Sequence, residues 1–238
     1  MNSQVAPYNF SFTDQYAMLR YFPSRDGAPN ETWNVSYSES SQSSWAPTEK
    51  SRWGNGTSAH STTRVNGAVT ISWLGTAIWL YGKGEINDYG VQIDNGPLMF
   101  GRGSNSEGLL FSQTDLNYTW HSAILSLIHG ELVFTGGTIT TGMGQEGWSV
   151  QYRTIQAATT TSPGLPEINP IFSSAGAGWS MARSFQYPRL SCGSEGSSVS
   201  FNLSNASGFS IFGSVDGTSG AFSVYIILPQ AVSPTVRL

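Results

Sequence analysis

The sequence predicts an all-β protein built from antiparallel β-sandwiches, and three observations support this. Apolar Val69, Ile71 and Trp73 alternate with Thr70 and Ser72, which is the period of a half-buried strand. No segment shows the sustained i, i+3, i+4, i+7 pattern of an amphipathic helix. Clusters of Gly, Asn and Ser interrupt the apolar segments at short intervals, as turns do in sandwiches and barrels.

Further candidate strands follow in order along the first two thirds of the chain. Residues 77–81 are apolar on both faces, which predicts a central strand of a packed sandwich. Residues 89–93 alternate again and end at 94–97, whose Asp-Asn-Gly-Pro sequence is a strong turn signal. Residues 121–127 form another alternating strand, and two shorter candidates lie within 132–140.

Composition limits the classes of function. Hydrophobic residues make up 39% of the 238 positions, enough to bury a core, whereas charged residues make up only 11%, less than half the usual share of about 25%. The net charge is −4 and no basic run occurs, so nucleic acid and anionic membranes are poor partners. No apolar stretch reaches the roughly 18–20 residues of a membrane span. Cys192 is the single cysteine, which excludes an internal disulfide.

An internal repeat predicts a tandem arrangement. Residues 69–93 match residues 199–226 strand by strand, with two short insertions, and a turn separates the first two strands in both segments. Upstream of each segment a tryptophan occupies the equivalent place, Trp45 in the first and Trp179 in the second. Three matched strands in the same order favour duplication over chance.

The repeat sets the predicted domain boundaries. We expect a first sandwich domain over 1–156, an exposed linker over 157–170 and a partial second copy over 171–238. The later strands of the first copy have no counterpart in the second. Either the second copy is shortened, or N-terminal residues such as 16–22 complete it.

Several segments carry a family resemblance. GAVTI (67–71), GTAIWLYG (75–82), YGVQID (89–94) and the stretch 108–123 together resemble the tandem β-sandwich ectodomains of many fungal surface proteins. The arrangement is also similar to galactose-binding-like jelly rolls, the fold of many carbohydrate-binding modules. The resemblance implies a sandwich fold and an extracellular setting, and it brings no assigned chemistry or site residues with it.

Sequons of the form Asn-x-Ser/Thr support a secreted or cell-surface location. Seven occur, an excess over the number that chance would produce. The predicted glycosylation sites are Asn9, Asn30, Asn34, Asn55, Asn117, Asn202 and Asn205. No signal peptide is visible in residues 1–20, so we expect a mature ectodomain from which a signal, and any anchor, has been removed.

The histidines, the cysteine and the serine motifs give no support for catalysis or metal binding. His60, His121 and His129 show no HxH or HxxxH spacing, so no metal site is predicted. His121 shares the inward face of its strand with Ala123, which favours a structural role. No Gly-x-Ser-x-Gly elbow occurs, and Cys192 lies in a turn-rich stretch without a nucleophile signature. No cofactor is predicted.

Carboxylates in the loops leave an enzyme as an alternative to a binding module. Two carboxyl groups about 5–9 Å apart can hydrolyse a glycosidic bond. The candidates, mostly in Gly- and Asn-rich loops, are Glu85, Asp88, Asp94, Glu107 and Asp115. Solvated turn residues are the default interpretation of such positions. Their spacing is also unlike that of an EF-hand.

The remaining functional signal is aromatic. Tryptophan rings stack on the flat C–H faces of sugars, while Asp, Asn and Arg bind hydroxyls. The predicted ligand-binding residues are Trp53, Asp88, Asn95 and Arg102. We therefore expect a non-catalytic module that binds a glycan or another surface protein. The alternatives are an enzyme with a site in the cleft between the sandwiches, and a structural or adhesion ectodomain, with a homo-oligomer left open.

Overall fold

The structure, a computed structural model, describes residues 5–39, 56–145, 147, 150–161, 165–182, 189–204, 209 and 211. Every regular element among these residues is a β-strand, which confirms the all-β prediction. The described residues divide into two compact units, the first containing Asn9–Thr141 and the second containing residues 5–8 and Gly142–Ile211. No helix in the described part has the length and apolar character needed to cross a membrane.

The first unit is a β-sandwich of two antiparallel sheets. It contains the whole or the larger part of each of the strands β1 (Val5–Thr13), β2 (Arg20–Phe22), β3 (Asn34–Tyr37), β4 (Ser58–Thr62), β5 (Ala68–Gly75), β6 (Ala77–Gly84), β7 (Ile86–Ile93), β8 (Leu98–Arg102), β9 (Leu109–Gln113), β10 (Thr119–Leu127) and β11 (Leu132–Gln145). Sheet A has the order β3-β4-β11-β6-β9, with β1 also paired to β11. Sheet B has the order β2-β5-β10-β7-β8.

The core lies between the two sheets and follows the alternation in the sequence. On β5, Val69, Ile71 and Trp73 are buried, and their neighbours Thr70 and Ser72 point to the other face. Buried residues of β6, such as Ile78, belong to the same hydrophobic cluster. The central position predicted for residues 77–81 is confirmed, because β6 lies between β11 and β9.

The longest strand of the unit contains an irregularity in its register. The register of β11 against β6 shifts between Phe134 and Gly136. Gly136 has a φ of 136°, and a Cβ atom at this position would overlap the carbonyl oxygen of Phe12. Glycine is therefore required here by both the backbone conformation and the close approach of β1.

The N-terminal strand β2 belongs to the first sandwich. Its residues pair with β5, with Arg20 opposite Thr70 and Phe22 opposite Ala68. Residues 20–22 therefore do not complete the second copy, which was one of the two predicted alternatives for residues 16–22. The sequence alone did not reveal this pairing, because β3 and β4 separate β2 from β5 along the chain.

The second unit contains short two-stranded sheets in its described residues. Its strands are β12 (Ala158–Thr161), β13 (Leu165–Ile168), β14 (Phe172–Ala175), β15 (Trp179–Ala182), β16 (Arg189–Cys192) and β17 (Ser198–Phe201). They pair as β12-β13, β14-β17 and β15-β16. The segment predicted as a linker, 157–170, contains the first of these pairs.

The matched segments of the repeat differ in burial where both are described. Val69 is 4% exposed, whereas its counterpart Val199 is 40% exposed. The third matched strand of the second copy, around residues 222–226, lies outside the described residues. The tandem arrangement and its boundaries therefore stay a prediction.

Candidate functional site

A shallow depression of about 430 Å³ lies on the outer side of sheet B, beside the turn that joins β7 to β8. Its lining residues, which define the Trp120 depression, are Ser72, Asp94, Asn95, Trp120, His121, Ser122 and Ile124. β5 and β10 supply most of its floor, and the turn after β7 supplies its rim. Its position on rigid paired strands gives the site a fixed shape.

The alternation of β10 places Trp120 on the surface. His121, Ala123, Leu125 and Leu127 point into the core. Trp120 has the opposite parity, so its ring faces solvent and is 68% exposed. An indole this exposed stabilises the fold little, and it is available to a ligand.

Hydrogen bonds fix Asp94 at the rim of the depression. Asp94 begins the predicted turn with a φ of 53°, a conformation that Asp tolerates. Its Oδ1 accepts a hydrogen bond from the Ser122 backbone N–H at 2.8 Å, and its Oδ2 lies 2.9 Å from His121 Nδ1. Asn95 follows directly and is exposed. The turn is therefore tied to β10 by side-chain contacts as well as by the ladder.

His121 contacts an acceptor at each ring nitrogen. Nδ1 faces the Asp94 carboxylate, and Nε2 lies 2.8 Å from the backbone oxygen of Asn117. Both contacts are satisfied at once only by the doubly protonated ring. Burial lowers the pKa of His121, but the Asn117 carbonyl and the Asp94 carboxylate outweigh it, so the pKa is raised. Burial raises the pKa of Asp94, and its contacts with His121 and Ser122 reverse this and lower it.

The predicted ligand residues do not form one cluster. Asn95 lines the Trp120 depression, and Arg102 is exposed at the end of β8. Asp88 lies instead in a small cavity of about 110 Å³ with Glu85 and Glu131, where its Oδ1 is 2.7 Å from His129 Nδ1. Trp53 lies outside the described residues.

A second histidine is buried in a network of charged and polar groups. His60 Nδ1 lies 2.7 Å from Asp14 Oδ2, and neither side chain has any exposed surface. The other nitrogen, Nε2, faces Asp26 Oδ1 at 3.6 Å, which is an ion-pair distance rather than a hydrogen bond. Burial lowers the pKa of His60, but the two carboxylates outweigh it and raise the pKa. Because a solute has no access to His60, this network stabilises the fold and is not a site.

Tyr21 and Ser58 complete this buried network. The Tyr21 hydroxyl donates to the Asp14 backbone oxygen at 2.7 Å, and its ring lies 4.7 Å from that of His60. Ser58 donates to Asp14 Oδ1. Burial, together with the nearby Asp14 carboxylate, raises the pKa of Tyr21.

Trp120 was not among the predicted ligand-binding residues, and Asp94 was predicted only as a candidate catalytic carboxylate. The signal for Trp120 was present, because an inward His121 requires its neighbour to face outward. The contact between Asp94 and His121 spans 27 residues, so no local pattern could reveal it. No group of three or more metal-ligating side chains occurs among the described residues.

The predicted glycosylation sites differ in exposure. Asn9, Asn30, Asn117 and Asn202 are exposed, and Asn34 is half-buried. The remaining two, Asn55 and Asn205, lie outside the described residues. Occupancy of these sequons stays a prediction.

Comparison with known proteins gives little further information. No protein-family model matches the chain, and no curated protein matches it. Among solved structures, the chain is similar to a family two carbohydrate esterase from Cellvibrio japonicus. That similarity has a TM-score of 0.40 and 8% identity over 57% of this chain and 34% of that chain. Similarity at this level does not indicate a function. The functional proposal below therefore rests on the Trp120 depression alone.

Proposed function

We propose that this protein is a non-catalytic binding module that recognises carbohydrate at the Trp120 depression. The observation that carries the proposal is the exposed indole of Trp120 beside polar side chains on a rigid sheet. Sugars combine flat C–H faces, which stack on an aromatic ring, with hydroxyls that need hydrogen-bond partners. The depression offers both kinds of group within one small area.

The polar groups around Trp120 suit sugar hydroxyls. Each carboxylate oxygen of Asp94 is engaged by a single internal contact, and an ionised carboxylate has about four lone-pair positions. Asp94 therefore keeps acceptor capacity toward the solvent. Asn95 adds one donor group and one acceptor, and Ser72 and Ser122 add hydroxyls. Because the internal contacts hold Asp94 in place, little side-chain entropy is lost on binding.

The state of His121 favours binding over catalysis. A general base needs a nitrogen free to accept a proton from the substrate. Both ring nitrogens of His121 already face acceptors, and the ring is almost fully buried. His121 thus orients Asp94 and does not offer a proton-transfer group to a ligand.

We also propose that the protein acts outside the cell. The exposed sequons at Asn9, Asn30, Asn117 and Asn202 support this. The intact mass of the protein secreted from a eukaryotic host, before and after glycosidase treatment, reports whether they are used.

A glycan-array screen followed by calorimetry tests the proposal. We expect saturable binding, recovery of the sugar intact, and at least a tenfold loss of affinity in Trp120→Ala, since buried aromatic contacts dominate such interfaces. The matched control is Tyr152→Ala, which removes an exposed aromatic ring from the second unit. Unchanged affinity in Trp120→Ala would rule out this site, and a cleaved sugar would replace the module with an enzyme.

A further inference from the structure

The outer face of sheet B extends well beyond the Trp120 depression. Residues directly opposite in a ladder lie on the same face, so the register of the five strands defines rows of side chains. One row consists of Phe22, Ala68, Ser126, Gly90 and Phe100. The next row consists of Arg20, Thr70, Ile124, Gln92 and Leu98. Both rows share the face of Trp120, because Ser126 and Ile124 have its parity on β10.

Exposed aromatic rings stand at both edges of this face. Phe22 on β2 is 58% exposed and Phe100 on β8 is 60% exposed. Between them the row contains only small side chains, since Ala68, Ser126 and Gly90 separate the two rings. The result is a strip of sheet with raised rings at its edges and a lower floor, where the Leu98 side chain of the next row covers Gly90.

Apart from Asp94 at the rim of the Trp120 depression, the charged side chains at the paired outward positions of sheet B are positive. Arg20 and Arg102 are exposed there, and neither forms an ion pair within the described part of the chain. The paired outward positions of the five strands contain no carboxylate. Asp94, at the rim, is balanced by His121. The face therefore complements a negatively charged ligand, although the whole chain is acidic.

The dimensions of the face exclude a single sugar as its full occupant. Four strand spacings separate Phe22 from Phe100, a distance of about 19 Å. Along β10, the six residue steps from Trp120 to Ser126 span about 20 Å. A chain of several sugars is needed to reach from the depression to the row that contains Phe100.

The distribution of polar groups favours a polysaccharide over a protein partner. The core of a protein interface is a contiguous apolar patch that is poor in charge. On this face, hydroxyl and amide groups such as those of Thr70, Ser126 and Gln92 separate the rings. The separated rings and the hydrogen-bonding groups between them suit the C–H faces and the hydroxyls of a sugar chain.

We propose that the outer face of sheet B binds a linear acidic polysaccharide, with the Trp120 depression as one end of the site. This inference rests on the proposed function and deepens it by naming the ligand class. Phe100 and Phe22 stack on sugar rings, and Arg20 and Arg102 bind the carboxylate or sulfate groups.

Calorimetry with galacturonic acid, its trimer and its hexamer tests the extended site, with cellohexaose as the neutral comparison. The hexamer is expected to bind about tenfold more tightly than the trimer, and more tightly than cellohexaose. Phe100→Ala removes most of the gain from trimer to hexamer, and Arg102→Gln lowers hexamer affinity together with its salt dependence. Val65→Ala, which truncates an exposed residue between β4 and β5, is the control.

The outcomes separate this inference from the proposed function. Trp120-dependent binding of a neutral glycan, with equal affinity for trimer and hexamer, would overturn the extended acidic site and leave the proposed function intact. Failure of these sugars to bind, together with failure of every sugar on the glycan array, would overturn both. Self-association that rises with concentration and disappears in Phe100→Ala would identify the face as a protein interface and refute the polysaccharide.

Discussion

Replacing His60 with alanine is expected to destabilise the first unit strongly. The change leaves the Asp14 carboxylate buried with no charged partner, because His60 is the basic group 2.7 Å from it and both side chains are inaccessible to water. Breaking such a pair from one side costs about 3–5 kcal/mol, a large part of the roughly 5–15 kcal/mol that stabilise a domain. Urea unfolding near pH 6, followed by fluorescence, measures the loss in the free energy of unfolding.

A surface pair of the same geometry supplies the control. His129 Nδ1 lies 2.7 Å from Asp88, but its side chain is 62% exposed, against 0% for His60. An exposed pair contributes only about 0–1 kcal/mol, so His129→Ala should barely change the unfolding curve. Equal losses in the two alanine variants would refute the claim that burial makes the His60 pair important. A double replacement, His60→Leu with Asp14→Leu, should recover much of the loss, because it leaves no unpaired charge.

Two further predictions concern pH and a glycine. The raised pKa values of His60 and His121 mean that their stabilising contribution is complete below their ordinary pKa of 6.5 and is lost as the pH rises through the raised values. The pKa of Asp26 is lowered, so its contribution to stability is present above its ordinary pKa of 3.8 and is lost on acidification. The thermal unfolding midpoint should therefore be highest between pH 3.8 and pH 6.5. A midpoint that still rises above neutral pH would contradict this prediction. Gly136→Ala should lower the free energy of unfolding by about 1–3 kcal/mol, through backbone strain and overlap of the new Cβ with the Phe12 carbonyl oxygen. Gly193→Ala is the control, because a Cβ there meets no atom within 4 Å. Equal urea midpoints for the two variants would argue against the strain.

Local patterns in the sequence were sufficient to locate the strands that form the core. The alternation at residues 69–73 and 121–127 reappears as β5 and β10, and the double-sided apolar run reappears as β6 in the interior of sheet A. The predicted turn at 94–97 ends β7. These features depend on the two-residue period of a strand and on turn chemistry, both of which are local properties.

Contacts between distant residues were beyond the reach of the sequence. Asp14 and His60 are separated by 46 residues, and Asp94 and His121 by 27. Nothing in the local pattern says which strand lies beside which, so the partners of each buried histidine were hidden. Trp120 is different, because the parity of β10 alone would have placed it on the outer face. Because successive side chains of a strand point to opposite faces, the buried residues of a strand also identify its exposed ones.

The pairing of β1 with β11 has a consequence for how the chain is made. These strands lie at opposite ends of the first unit in sequence, yet they are neighbours in sheet A. β11 is also a partner of β4 and β6, so until residues 132–145 have left the ribosome β1 has no partner in the sheet, and β4 and β6 each have a partner on one side only. Long-range pairing of this kind slows folding. During synthesis the nascent first unit therefore exposes apolar strand edges, the situation in which chaperones are most needed.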